Sequence, residues 1–319
     1  MKILIVRFSS IGDIVLTTPV VRCLKQQLNN VQIHFVTKKQ FASVMNNNPY
    51  VDKLYTIEKS TSEIIQELKN ENYDYVVDLH HNIRTLKLKL QLGKKSVSFN
   101  KLNYEKFLLV NFKRNKLPQK HIVDRYLDTV SSLNVINDNK GLDYFIADKD
   151  TVNLNETLPP NFINGYNVLV VGGSYFTKQI PINKLKEICE NSLLPIALLG
   201  GREDSKIAEE VHAVFKDKTI NLCGKLSLNQ SASVIQQAQK VITSDTGLMH
   251  IAAAYKKDIV SLWGNTVPEF GMGPYLAGEN SMLLEVKNLS CRPCSKLGYR
   301  KCPKGHFNCM NKIQIPNSI

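Results

Sequence analysis

Lys2-Ile3-Leu4-Ile5-Val6-Arg7-Phe8 runs into Ser9-Ser10-Ile11-Gly12-Asp13, and from there apolar residues recur at helical spacing through Leu28. A β-branched run, a small polar turn and an amphipathic stretch spell strand, tight loop, helix. The same alternation continues, with strands expected at 32–36, 53–57, 75–79 and 96–99 and helices at 39–46, 62–70, 84–92 and 122–133. Strands that alternate with helices build a parallel sheet covered on both faces.

Between Asn134 and Asn167 the pattern weakens into Asn, Asp and Pro, with 144–146 as its one strand-like piece and Pro159-Pro160 as punctuation. The boundary is therefore expected there, giving domains 1–158 and 159–319. Alternation then restarts: strands at 167–171, 196–199, 240–243 and 259–263, helices at 182–191, 204–215, 227–239 and 246–255. The fold class expected is α/β, two doubly wound Rossmann-like domains facing an interdomain cleft, with ligands at the C-terminal ends of the strands.

With 319 residues, 43% hydrophobic and 22% charged, the chain is long enough for two such cores and excludes collagen-like, low-complexity and disordered readings. Its longest apolar runs fall far below the roughly 18 residues of a spanning helix, and Arg7 and Asp13 interrupt the N-terminal run where a signal peptide needs continuity. The net charge of +13 is concentrated. From Arg84 to Arg125 there are twelve Lys/Arg against Glu105 and Asp124, and from Lys287 to Lys312 seven Lys/Arg and no acid. Two basic segments on a slightly acidic remainder point to an anionic partner or to a merely basic surface.

Cys23, Cys189 and Cys223 lie singly in apolar or helical stretches and read as reduced core thiols of a cytoplasmic protein. Cys291, Cys294, Cys302 and Cys309 crowd the C-terminus (about 287–319) with His306; they read as structural thiols, a disulfide or, through loose spacing, a structural zinc site.

Four loops could carry chemistry. In Ser9–Asp13, Gly12 permits close backbone approach and two hydroxyls can donate, while Asp13 reads either as a helix cap or as a carboxylate facing a ligand. Gly172–Lys178 follows the next domain's first strand, and Lys178 there could meet a phosphate. Gly200–Asp204 offers Glu203 to a sugar or ribose hydroxyl. Ser244-Asp245-Thr246-Gly247-Leu248-Met249-His250 opens a helix after a strand, where free N–H groups and the positive dipole end suit a diphosphate. Asp148-Lys149-Asp150 has metal-motif spacing but sits among linker polar residues, and reads as solvated.

KILIVRFSSIGDIVLTTPVV, the Lys178 loop, LLGGRED and SDTGLMHIAAA, in that order and spacing, resemble the heptosyltransferase family, glycosyltransferase family 9. The resemblance implies a GT-B architecture and inverting transfer of a heptose from an ADP-heptose donor to an anionic, lipid-linked lipopolysaccharide core acceptor. It implies Asp13 as general base, Lys178 beside the diphosphate and Glu203 on the ribose. Ser174, Thr177, Asp245, Thr246, Gly247, Leu248 and His250 would complete the donor site, with no metal cofactor required. Ser9, Ser10, Gly12, Arg84, Lys120, His121 and Arg125 become acceptor candidates, the basic run steering the acceptor and the inner-membrane surface.

Two alternatives remain. One keeps fold and mechanism but changes the nucleotide-sugar or glycan acceptor. The other is a basic anionic-polymer or nucleic-acid binding protein with a Cys-rich module; no recognised nucleic-acid motif supports it, so no nucleic-acid partner is expected.

Overall fold

The computed structural model describes all 319 residues, Met1–Ile319. The chain divides into two compact units, Met1–Leu102 with Lys120–Phe145, and Asn103–Gln119 with Ile146–Ile319. This differs from the expected boundary at 158/159 in two places. Residues 146–158 pack with the second unit, where the Val152 amide donates to Ser233 Oγ (2.9 Å) and Asn229 Nδ2 to Asp150 (2.9 Å). Segment 103–119 also belongs there, because Leu109 is buried against Val267 and Phe270.

In the first unit, β1 (Lys2–Val6), β2 (Gln32–Lys38), β3 (Lys53–Ile57), β4 (Tyr75–Asp78) and β5 (Lys95–Ser98) form one sheet in the order β3-β2-β1-β4-β5. All pairings are parallel, and Ile3–Val6 of β1 are buried throughout, as a strand covered on both faces requires. The first half contributes helices α1 (Ile11–Val15), α2 (Thr18–Gln27), α3 (Ile65–Asn70), α4 (Ile83–Leu92), α5 (Asn103–Phe112) and α6 (Ile122–Asp128), of which α5 lies in the second unit.

The helix expected through Leu28 is two helices. The Thr17 and Thr18 hydroxyls donate back to the Ile14 and Val15 carbonyls, and Pro19, which has no N–H, fits only the first turn of α2. The helix expected at 39–46 is a 3-10 segment, Lys39–Val44, and 144–146 is no strand. The preceding stretch is fixed instead by Arg22, whose guanidinium bonds Asp138 (2.8 and 2.9 Å), the Gly141 carbonyl (2.8 Å) and the Asp143 carboxylate.

In the second unit, β6 (Asn167–Val170), β7 (Ile196–Leu199), β8 (Thr219–Asn221), β9 (Lys240–Ser244), β10 (Asp258–Trp263) and β11 (Met282–Glu285) form a parallel sheet in the order β11-β10-β9-β6-β7-β8. Helices α7 (Leu154–Thr157), α8 (Ile182–Asn191), α9 (Ser205–Val214), α10 (Leu228–Gln237), α11 (Gly247–Ala254) and α12 (Asn308–Asn311) complete it. One core cluster joins Leu169, Ile242 and Val260 of the sheet to Phe307, Cys309, Met310, Ile313, Ile315 and Ile319, so the C-terminal stretch is built into this core.

Each sheet has a switch point. β1 pairs β2 on one side and β4 on the other, and β6 likewise lies between β7 and β9. Connections leave such a pair in opposite directions and open a crevice at the strands' C-terminal ends. The loops after β1 and β4, and after β6 and β9, are therefore where ligands are expected, unit by unit.

Candidate active site

The loop after β1 places Asp13 as the third residue of α1, where its Oδ2 accepts from the Ser10 amide (3.2 Å) and the Ser10 hydroxyl (2.8 Å). Its Oδ1 meets Arg7 Nη2 at 2.8 Å. Burial pushes the carboxyl upward, but the Arg7 charge and the Ser10 bonds outweigh it and hold Asp13 below the ordinary aspartate value. Arg7 is itself fixed: Nε donates to the Ser9 carbonyl (2.7 Å), and Nη1 to the Leu79 carbonyl (2.5 Å) and the Tyr126 hydroxyl (3.0 Å). Asp13 thus caps its helix and remains an ionised carboxylate with unused lone pairs.

His80, in the loop after β4, packs its ring against Phe8 at 5.1 Å. Burial, then the Arg7 charge, push it down to about 4, so it is neutral at physiological pH, and its buried Nδ1 has no protein partner. The loop is fixed by buried Asp78, which accepts from the His80 (3.0 Å) and His81 (2.7 Å) amides and pairs with Lys89 (3.0 Å).

In the second unit the loops after β6 and β9 meet. Lys178 Nζ lies 2.6 Å from Asp245 Oδ2, which also accepts from the Thr266 hydroxyl at 3.0 Å. Thr246 is the N-cap of α11, its hydroxyl accepting from the Met249 amide (3.4 Å). The amides of Gly247 and Leu248 open the helix before any backbone acceptor is available to them, at its positive end. His250 is buried within the first turn and a half. Beside this cluster in sequence, Ser244 Oγ and both side-chain polar atoms of Asn265 are buried without a protein partner.

Glu203 lines a cavity of about 370 Å³ with Asp204, Gln179, Lys206 and Glu210. Asp204 accepts from the Gly201 amide at 2.8 Å, and burial pushes its carboxyl up. Gly172 is required by this approach, since a Cβ there would sit 2.0 Å from the Asp204 carboxylate.

The Cys-rich tail braces these loops. Thr177 and Tyr299 exchange bonds (Tyr299 amide to Thr177 Oγ1, 2.8 Å; Thr177 amide to Tyr299 carbonyl, 3.2 Å), and the Phe176 and Phe307 rings lie 5.1 Å apart. Arg292 donates through Nε to the Gly264 carbonyl (2.6 Å) and through Nη2 to the Thr266 carbonyl (3.0 Å), and pairs with Glu285 (2.6 Å). It therefore fixes the loop that brings Thr266 to Asp245. Arg292→Ala is expected to cost about 3 kcal/mol, the usual loss when one partner of a buried pair is removed. Urea denaturation checks this, and Arg292→Lys restores only part because it cannot span three acceptors.

The four tail cysteines are free thiols. Burial, then the neighbouring thiols, push Cys309 up to about 12, and Cys294 is also raised. No group of three or more His, Cys, Asp or Glu is arranged to hold a metal ion.

The structure brings Lys178, Asp245 and Thr246 together with Gly247 and Leu248, and keeps Ser9, Ser10, Gly12 and Asp13 together in the first unit. Ser174 is exposed on the loop after β6. Thr177, expected at the donor, is fully buried and bonded to the tail, so it holds the loop rather than facing a ligand. Lys120 is exposed and paired with Asp128 (2.6 Å), His121 caps α6 by accepting from the Val123 amide (3.2 Å), Arg125 is buried, and Arg84 is exposed on α4. His80, Thr266, Asn265 and Arg292 lie outside the four motifs, whereas Arg7 and Asp204 lie inside them without a role assigned to them there. For Arg7 the signal was available, because a charged residue at the end of a buried strand needs a partner.

Residues 61–301 match the sequence model of glycosyltransferase family 9 (heptosyltransferase). Lipopolysaccharide heptosyltransferase 1 of Campylobacter coli is 27% identical over 290 residues, 83% of this chain and 84% of that protein. Among solved structures, the Escherichia coli ADP-heptose lipopolysaccharide heptosyltransferase II superposes with a TM-score of 0.72 at 18% identity, covering 98% of both chains. An E. coli heptosyltransferase solved with ADP gives 0.66 at 23% identity, covering 89% of this chain and 92% of that one. The two doubly wound units are thus the GT-B architecture of these neighbours.

Proposed function

The chain belongs to glycosyltransferase family 9, and from that premise we propose that it moves a heptose from ADP-heptose to a lipopolysaccharide core-type acceptor with inversion. The observation that carries the reading is the Lys178–Asp245–Thr266 cluster at the switch point of the second sheet, beside the positive end of α11. A departing ADP develops negative charge on its diphosphate; an ammonium and unpaired helix amides stabilise it without a metal. Asp245 is suited to sugar hydroxyls, and Glu203 to the ribose. In the first unit Asp13 takes the proton of the acceptor hydroxyl as it attacks. E. coli relatives named for ADP-heptose and solved with ADP support the donor.

The acceptor in this reading is lipid-linked and anionic, reached at the cytoplasmic face of the inner membrane, with Arg84 among the basic residues that attract it. No helix of the chain is long and apolar enough to cross a membrane.

Titration calorimetry with ADP, GDP and UDP, with and without EDTA, tests the donor. ADP-selective binding that EDTA leaves unchanged is the expected result. Preference for UDP or GDP would retain the family and overturn ADP-heptose.

A further inference from the structure

Helix α4 has two apolar faces. One, formed by Thr85, Leu88 and Leu92, is buried on the first unit. The other points away from it: Ile83 is 73%, Leu86 51% and Leu90 73% exposed. Their spacing of three and four residues aligns them in one stripe along the helix. Arg84 and Lys87, each one position on, form an adjacent stripe, and Lys95 follows just beyond the C-cap Gly93. All three cations are exposed, and none is engaged by an acidic side chain. From Leu79 to Tyr104 the sequence contains no Asp or Glu.

We propose that this outward face of α4 docks the protein on an anionic lipid surface, with Ile83, Leu86 and Leu90 entering the headgroup boundary and Arg84, Lys87 and Lys95 meeting lipid phosphates. An apolar stripe beside a purely basic one matches a surface that offers acyl chains and anions together. A second copy of the chain is a poor occupant, since symmetric pairing of this face would bring its cations together. A helix of about 15 Å supplies modest apolar area, so docking is reversible and salt-sensitive. The proposal extends the lipid-linked acceptor reading by naming the element that meets the lipid, and rests on that reading only for its biological setting.

The test is co-sedimentation of the full chain with phosphatidylglycerol/phosphatidylethanolamine vesicles, and with phosphatidylcholine vesicles, at low and high salt. Wild type is expected to prefer the anionic vesicles. Ile83→Ser/Leu90→Ser lowers the partition at least about tenfold, whereas Arg84→Gln/Lys87→Gln lowers it and flattens its salt dependence. An unchanged melting curve shows that the exposed substitutions leave the fold intact. As a second readout, Ile83→Trp adds an indole to a chain whose one tryptophan, Trp263, is buried, and its emission should shift to the blue on adding anionic vesicles. Equal partition of wild type and Ile83→Ser/Leu90→Ser, or an unshifted indole, overturns the proposal. So does capture by an acidic protein, or self-association through this face, without vesicle binding. Heptose transfer to a delipidated acceptor is measured in parallel and should be unchanged in Ile83→Ser/Leu90→Ser. Vesicle binding without transfer would sink the proposed function alone, and transfer without vesicle binding the docking alone.

Discussion

Asp13→Asn is expected to lower kcat by about a thousandfold while ADP affinity stays within about twofold, the signature of a base that acts on the acceptor and not on the donor. The amide oxygen can still accept from Ser10, but its NH2 then faces the Arg7 guanidinium, so the variant also loses stability, and an unchanged ADP affinity is what separates the chemical loss from that cost. Retained turnover would remove Asp13 from the role. The pH profile adds a sharper criterion. Because Arg7 and Ser10 hold the carboxyl below the ordinary aspartate value despite burial, the acid limb of kcat should fall below that value. Arg7→Gln removes the principal lowering influence while burial remains, so its acid limb should move to higher pH. The same linkage fixes the sign for stability. A depressed carboxyl contributes stability that is present above the unfolded aspartate value and lost as pH falls through the folded one. Arg7→Gln should therefore lose stability at neutral pH and differ less from wild type in acid.

The parts of this arrangement that the sequence exposed are those in which local pattern and function coincide. β1 and Ser9–Asp13 are contiguous, and so are β9 and the start of α11; a strand, a small polar turn and a helix can be read directly. His80 is different. It reaches the Asp13 loop because β4 pairs with β1 across a switch point, and pairing partners 72 positions apart (Ile3 with Tyr75) leave no mark on periodicity. Thr266 joins Asp245 for the same reason, through β10 lying beside β9. The division into units was hidden more deeply. The helix Asn103–Phe112 exposes Tyr104, Phe107 and Phe112 and buries only Leu109, so its own pattern does not say which core it joins. Thr177 shows the converse limit: a hydroxyl in the Gly172–Lys178 loop looks available in sequence, and only the return of the tail at Tyr299 shows it to be occupied.

Lys178→Ala is expected to weaken ADP binding about tenfold to a hundredfold, the worth of one charge-assisted hydrogen bond of about 1.5–3 kcal/mol, and to reduce kcat/KM by more than it reduces affinity. The second loss follows because charge on the diphosphate grows as the glycosidic bond breaks, so an ammonium there stabilises the transition state more than the bound donor. The pairing with Asp245 makes the prediction two-sided. In the free protein Lys178 is held at 2.6 Å by a carboxylate that Thr266 also engages, so a diphosphate must compete for the ammonium. Asp245→Asn weakens that competition, and ADP affinity should rise or hold even as turnover falls through loss of the contact to the sugar. Lys178→Ala leaves Asp245 uncompensated beside the diphosphate, which compounds the deficit by repulsion, and the double variant should therefore bind ADP better than Lys178→Ala alone. Titration calorimetry of the four proteins with ADP gives the coupling directly. An affinity for ADP that Lys178→Ala leaves unchanged would place the diphosphate elsewhere, and strictly additive effects would show that the two side chains do not share it.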